Sequence, residues 1–245
     1  MPLYQFVKSH PKGESKILFL KKKNRNSWKI SFLFIASGGL ILIWAFWPII
    51  SFSVFTAPLF SAVISPVSSG VGALTPLVSA SVGGLGNSDF SDANLWFPTK
   101  PQRKIVTPVN IYKLSIPKLK IKDATVTIAG DDLDKSLVHY GGTGLPGQYG
   151  TTVIFGHSVL PQFYNPENYR TIFSTIPTLK PGDKILVNYD GVDYTYVVYD
   201  LVVTEPSDLS VLEQNFDDSY LTLITCVPPG TTWKRLSVKA RLSKY

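Results

Sequence analysis

The sequence predicts an all-β domain, a small barrel or sandwich of at least seven strands, hung on one N-terminal transmembrane helix. Three observations carry that reading. The positive charge is gathered at one end, a long run without any charge follows it, and the C-terminal part repeats short β-branched and aromatic runs broken by turn residues. At 245 residues the chain holds one ordinary domain with appendages and is short for two large ones.

Residues 1–29 form a basic tail. Lys8, Lys12, Lys16, Lys21, Lys22, Lys23, Arg25 and Lys29 face Glu14 alone, and together they account for the whole formal net charge of +7. The remainder is neutral, so it offers no broad field to phosphates, which argues against nucleic acid as a partner. From Ile30 to Ser88 no side chain is charged. Within that run, residues 30–55 (ISFLFIASGGLILIWAFWPIISFSVF) exceed the ~20 apolar residues a helix needs to cross about 30 Å of hydrocarbon, and predict a transmembrane helix. Trp28, Trp44 and Trp47 suit the membrane interfaces, and Pro48 marks a kink or the helix end. The Lys/Arg asymmetry places the N-terminus in the cytoplasm and the rest of the chain outside. A cleaved signal peptide has an apolar region of about 7 to 15 residues, so the segment reads as an uncleaved anchor.

Residues 56–105 turn to Ser, Gly, Pro and small apolar residues without periodicity, as in SPVSSGVGALTPLVSASVGGLGNS. They read as an extracytoplasmic spacer that gives an anchored domain reach. Pro58, Pro66 and Pro76 argue against a second stable membrane helix, and a shallow contact with the membrane surface stays open.

Residues 106–245 form the domain. Strands are predicted at 111–117, 124–129, 151–156, 184–189, 192–203, 220–226 and 235–242. Asp190-Gly191 marks a tight hairpin, because a type I′ turn needs positive φ at both central positions. Two short helices are expected at 167–178 and 208–215, the second capped by Ser207 or Asp208.

Cys226 is the sole cysteine, so it has no partner for an intramolecular disulfide. At a strand end in an exported domain it is either a nucleophile or a buried inert thiol. A nucleophilic thiolate needs a base or a cation beside it. With His10 in the tail, His139 and His157 are the candidate bases. Arg235 follows Cys226 by nine residues across a turn-like VPPGTTWK, a spacing that suits two antiparallel strand ends; its alternative reading is a surface charge.

TLITC (222–226) matches the TLxTC signature of sortases, the membrane-anchored cysteine transpeptidases of bacterial surfaces. HYGGTGLPGQYGTTVIFGHS (139–158) ends in the Gly-His of that family, LSIPKLKI (114–121) resembles its opening strand, and RLSVKARL (235–242) begins with its arginine. With the IF…L…GDKI pattern (172–185), the resemblance spans about residues 111–242. It implies an eight-stranded β-barrel and catalytic roles for Cys226, His157 and Arg235. It further implies cleavage of a sorting signal resembling Leu-Pro-x-Thr-Gly through a thioester, and transfer to an amine. The partners implied are surface proteins with a C-terminal sorting motif and an acceptor on a cell-wall peptide or a pilin lysine. The sortase class stays open, as CVPPGTTWKRL (226–236) fits more than one.

His139 is expected to be structural or to line a pocket wall, and Thr225 to be either a helper or an ordinary strand threonine. No cofactor is expected. Asp131, Asp132 and Asp134 read as a solvated turn; some sortases bind calcium through loop carboxylates, but this cluster cannot be placed on that site. One thiol and two distant imidazoles do not complete a zinc site. The GGTG at 141–144 lacks the following Lys-Ser/Thr of a phosphate cradle. The alternative functions are a thiol hydrolase on the same residues and a non-enzymatic surface-binding domain.

Overall fold

A computed structural model describes residues 25–52, 54, 61–62, 91–97, 99–103 and 107–244. Most of the basic tail and of the predicted spacer lie outside the described residues.

Helix α1 spans Arg25–Ser51 with Pro48 in its last turn. Its apolar stretch Trp28–Ser51, 24 residues, is about 36 Å long at ~1.5 Å per residue, enough to cross the hydrocarbon core. Phe32, Leu33, Phe34, Ile35, Leu40, Ile43, Trp44 and Trp47 all stand exposed along it. A helix apolar on every side is stable where its solvent is lipid. The α-helical turns run as far as Ser51, and the predicted end at Phe55 lies outside the described residues.

The strands are β1 (Ser61–Ala62), β2 (Ile111–Ile116), β3 (Ile121–Ile128), β4 (Leu137–His139), β5 (Gly150–Phe155), β6 (Lys184–Tyr189), β7 (Val192–Thr204), β8 (Ser219–Val227) and β9 (Lys234–Leu242). They run in the order β1-β7-β6-β2-β3-β4-β5-β8-β9, and the pairing of β7 with β9 closes β2 to β9 into an eight-stranded barrel. The two-residue β1, which falls within the predicted spacer, adds to β7 in parallel outside that ring. All seven predicted strands are present. The eighth, β4, was not predicted: it is three residues long and buried throughout, so it shows no alternation. Tyr189 pairs with Val192 around Asp190 (φ 52°) and Gly191 (φ 76°), the two positive angles the hairpin requires.

Neither predicted helix becomes an α-helix. Residues 167–178 form successive turns that end in a 3-10 turn at Ile176–Thr178. Asn165 Oδ1 accepts from Glu167 N–H, Asn168 Oδ1 accepts from Arg170 N–H, and the Thr171 hydroxyl donates to Asn165 O, so side chains take the groups a helix would use. Residues 208–215 hold only the 3-10 turn Leu209–Leu212, with Asp208 as the expected cap accepting from Ser210 N–H.

Two apolar layers sandwich the barrel wall. Leu221 and Leu223 of β8, Leu236, Val238 and Ala240 of β9, and Ile154 of β5 point into the interior with Leu114, Val126 and Phe173. The alternate residues Val153, Phe155, Ile224 and Cys226 face outward into a second layer, roofed by Trp96, Phe97, Val211 and Leu212. β5 and β8 are therefore buried on both faces, and the cysteine sits in the outer layer.

Candidate active site

Cys226 and Arg235 are direct cross-strand partners in the antiparallel β8–β9 ladder, on the outer face of the barrel. Arg235 Nη1–H points at Cys226 Sγ from 3.4 Å and shares the Thr232 carbonyl at 3.3 Å. The nine-residue spacing is thus a hairpin that returns the guanidinium to the thiol. Arg235 is only 2% exposed, which excludes the surface-charge reading. Its Nε is buried without a hydrogen-bond partner among the described residues, so one N–H of the fork is unpaired.

His157 reaches the same face from β5. The parallel β5–β8 register, Phe155 opposite Ile224, continues past the strand end: Gly156 N–H donates to Ile224 O, and the Ser158 hydroxyl donates to Cys226 O at 2.7 Å. Residue 156 turns inward, where a Cβ would stand 2.5 Å from Phe173 Cδ2 and 2.7 Å from Leu137 Cδ2. Only glycine fits there, and that close approach fixes the neighbouring histidine outward. Cys226, His157 and Arg235 therefore lie on one face of three adjacent strands.

The other two candidates turn the opposite way. Thr225 points into the wall, where its hydroxyl donates to Gly156 O at 2.8 Å; it ties β8 to β5 and has no path to the outer face. His139 is fully buried on the interior side, its Nδ1 3.0 Å from the Tyr112 hydroxyl, and burial pushes its pKa down to about 4. That is a neutral imidazole, as the structural role requires.

Trp96 is the residue sequence reasoning missed. It lies in a 3-10 turn, Ala93–Trp96, capped by Asp92, at the end of the predicted spacer. Ala93 N–H donates to Asp131 O and Leu133 N–H to Ser91 O, which fastens this segment to the β3–β4 connection. The indole lies over the Arg235 guanidinium at 4.9 Å, stacks on Phe155 at 5.3 Å and stands 6.0 Å from the His157 ring. A desolvated cation–π contact of this kind contributes about 2 kcal/mol. The aromatic pair Trp96-Phe97 inside a Ser/Gly/Pro stretch was the available signal.

Under this cover Cys226 is 5% exposed, and burial pushes its thiol above the ordinary range, opposed by the nearby Arg235. Trp96→Ala is accordingly expected to speed alkylation of Cys226 by iodoacetamide at neutral pH, since relieving burial favours the thiolate. Timed mass spectrometry reads the rate, and an unchanged rate contradicts the covering role.

Of the acidic loop, Asp132 pairs with Lys135 at 2.7 Å, while Asp134 lies 2.5 Å from Arg170 and 3.7 Å from His157. Asp134 is therefore part of the site's surroundings and not of a free solvated turn.

The sortase domain family model matches residues 114–243, a span that contains Cys226, His157 and Arg235. Sortase D of Bacillus subtilis (strain 168) is 26% identical over 116 residues, 47% of this chain and 53% of that protein. The chain thus spans about half the length of the curated relative it matches. Among solved structures, a Clostridium perfringens Sortase D5 transpeptidase is 29% identical with a TM-score of 0.47, over 57% of this chain and 82% of that one. A lid mutant of Sortase A from Corynebacterium diphtheriae is 28% identical with a TM-score of 0.49, over 57% and 73%. Sortase C-1 from Actinomyces oris is 27% identical with a TM-score of 0.49, over 56% and 77%.

Proposed function

The chain belongs to the sortase family, and from that premise we propose that it is a membrane-anchored cysteine transpeptidase that cleaves an LPxTG-like sorting signal and passes the new carboxyl end to an amine. The observation that carries the reading is the Arg235 N–H aimed at Cys226 Sγ from 3.4 Å, on the face that also holds His157.

The Cys226 thiolate attacks the carbonyl of the scissile Thr-Gly bond, and the negative charge moves to the carbonyl oxygen. Arg235, through the planar N–H fork of its guanidinium, holds that oxyanion. The tetrahedral intermediate collapses to a thioester as protonated His157 gives its proton to the leaving amine. An incoming amine then attacks the thioester, His157 takes its proton, and the thiolate leaves. The acceptor is the amine of a cell-wall peptide or a pilin lysine, and the donors are surface proteins with a C-terminal sorting motif. Trp96 must leave its place over Arg235 before a peptide reaches the thiol, so residues 91–97 act as a cover.

No cofactor enters these steps. Of the loop carboxylates, Asp132 pairs with Lys135 and Asp134 with Arg170.

The test is product analysis. Purified protein, a sorting-motif peptide and a series of amines should give a product whose mass includes the amine, in yields that rise with amine concentration. Cleavage with water alone at every amine concentration identifies a thiol hydrolase instead, and no cleavage at all leaves a binding domain.

We also propose a single-pass orientation with residues 1–29 in the cytoplasm and the barrel outside, on the strength of the Lys/Arg asymmetry about α1. A reporter fused after Tyr245 is expected to be active only outside the cytoplasm. Cytoplasmic activity contradicts the orientation.

A further inference from the structure

The β3–β4 connection carries a carboxylate that the reaction above does not use. Asp134 presents Oδ2 to Arg170 Nη2 at 2.5 Å and Oδ1 to His157 Nε2 at 3.7 Å. Its backbone is held from two sides. Asp134 N–H donates to Asp132 Oδ1, and the preceding Leu133 is buried in the outer apolar layer and donates to Ser91 O. The carboxylate, 24% exposed, is therefore set in place by the loop, with one oxygen taken by Arg170 and the other turned to the imidazole, itself 17% exposed.

Resting on the reading of His157 as the acid–base group, we infer that Asp134 is a positioning residue for it: the carboxylate receives the Nε2–H, fixes the ring, and leaves Nδ1 as the nitrogen that exchanges protons with the substrate amines. The 3.7 Å gap closes to a charge-assisted hydrogen bond of about 2.7–2.9 Å when the ring is protonated. In acylation the Nδ1 proton passes to the leaving amine while the Nε2 proton stays on the ring, hydrogen-bonded to Asp134. In transfer the same Nδ1 takes a proton from the incoming amine. A third group that orients the base in this way follows the general logic of nucleophile–base pairs.

Charged groups near the ring come from the elements packed about it, and Asp92 of the 91–97 segment and Asp131 line the same hollow as Asp134. Asp134 approaches from the β3–β4 connection with Arg170 of the β5–β6 connection behind it, and Cys226 of β8 and Arg235 of β9 lie on the same outer face across Trp96. Asp132 and Lys135 close on each other.

The experiment is an NMR titration of the histidine C2 protons in the full chain in detergent, with the His157 signal assigned by its loss in His157→Gln. In Asp134→Asn the His157 midpoint should move to lower pH, because removing the carboxylate disfavours the imidazolium. In Arg170→Gln, a change at a 69% exposed side chain, it should move to higher pH, because the carboxylate is then uncompensated. On a sorting-motif peptide, Asp134→Asn should lower kcat by at least about tenfold with KM unchanged, and Asp134→Glu should restore most of it. An unmoved midpoint in Asp134→Asn, or a lower one in Arg170→Gln, overturns the inference. Absence of any transfer by the wild type overturns the transpeptidase reading, while the titration still decides the role of Asp134.

Discussion

Cys226→Ser is expected to keep the barrel and lose the chemistry. The side chain sits in the outer apolar layer, 5% exposed, with Arg235 Nη1–H 3.4 Å away. A serine hydroxyl fits that volume and has a donor at hand, so no buried polar group is left unsatisfied. The melting temperature should stay within a few degrees of wild type. Catalysis is a different matter, because a hydroxyl is scarcely ionised near neutral pH, and removing a nucleophile that works as a unit with its base costs on the order of 10⁴-fold or more in kcat. Turnover of a sorting-motif peptide and a melting curve on the same sample check both halves. Residual activity above about one per cent of wild type would place the nucleophile elsewhere.

Arg235→Lys should lose about 10²-fold in kcat although the charge is kept, whereas Arg241→Lys should be nearly silent. Both arginines lie on the outer face of β9, and the sequence alone separates them only by distance, about 20 Å over six residues at ~3.3 Å each. Their surroundings now separate them too. Arg235 is enclosed between Trp96, Cys226 and the Thr232 carbonyl, with its Nε–H unpaired. A lysine there carries its charge on a single point and loses the planar fork and the stacking on the indole. Arg241 pairs with Asp218 at 2.5 Å, and its side chain is 53% exposed. A lysine keeps that ion pair, and Lys244 already stands 3.5 Å from the same carboxylate. Rates of both variants on one peptide decide the assignment, which fails if Arg241→Lys is the more damaging.

The face assignments explain what was legible in the sequence and what was not. Strands that alternate, such as β6 and β9, and the Asp190-Gly191 turn announce themselves through periodicity and dihedral demand. The Cys226–Arg235 pair was readable because a hairpin fixes register by counting. Choosing His157 over His139 rested on the resemblance. The structure separates the two rings, one outside the wall beside Trp96 and the other inside it against Tyr112. Trp96 and Asp134 were not legible as site residues, because both reach the site from irregular segments. No period there tells which way a side chain faces. Residues 167–178 misled for a related reason: their Asn and Thr side chains satisfy the backbone locally, a competition that a hydrophobic pattern does not reveal.

The thioester on Cys226 is the centre of the account, and peptide mapping by mass spectrometry reaches it most directly. Wild-type protein mixed with a sorting-motif peptide and quenched in acid should carry the N-terminal part of that peptide on the tryptic fragment containing Cys226. An added amine should discharge the adduct and appear in the released product. An unmodified Cys226 in a sample that has cleaved its peptide contradicts the account.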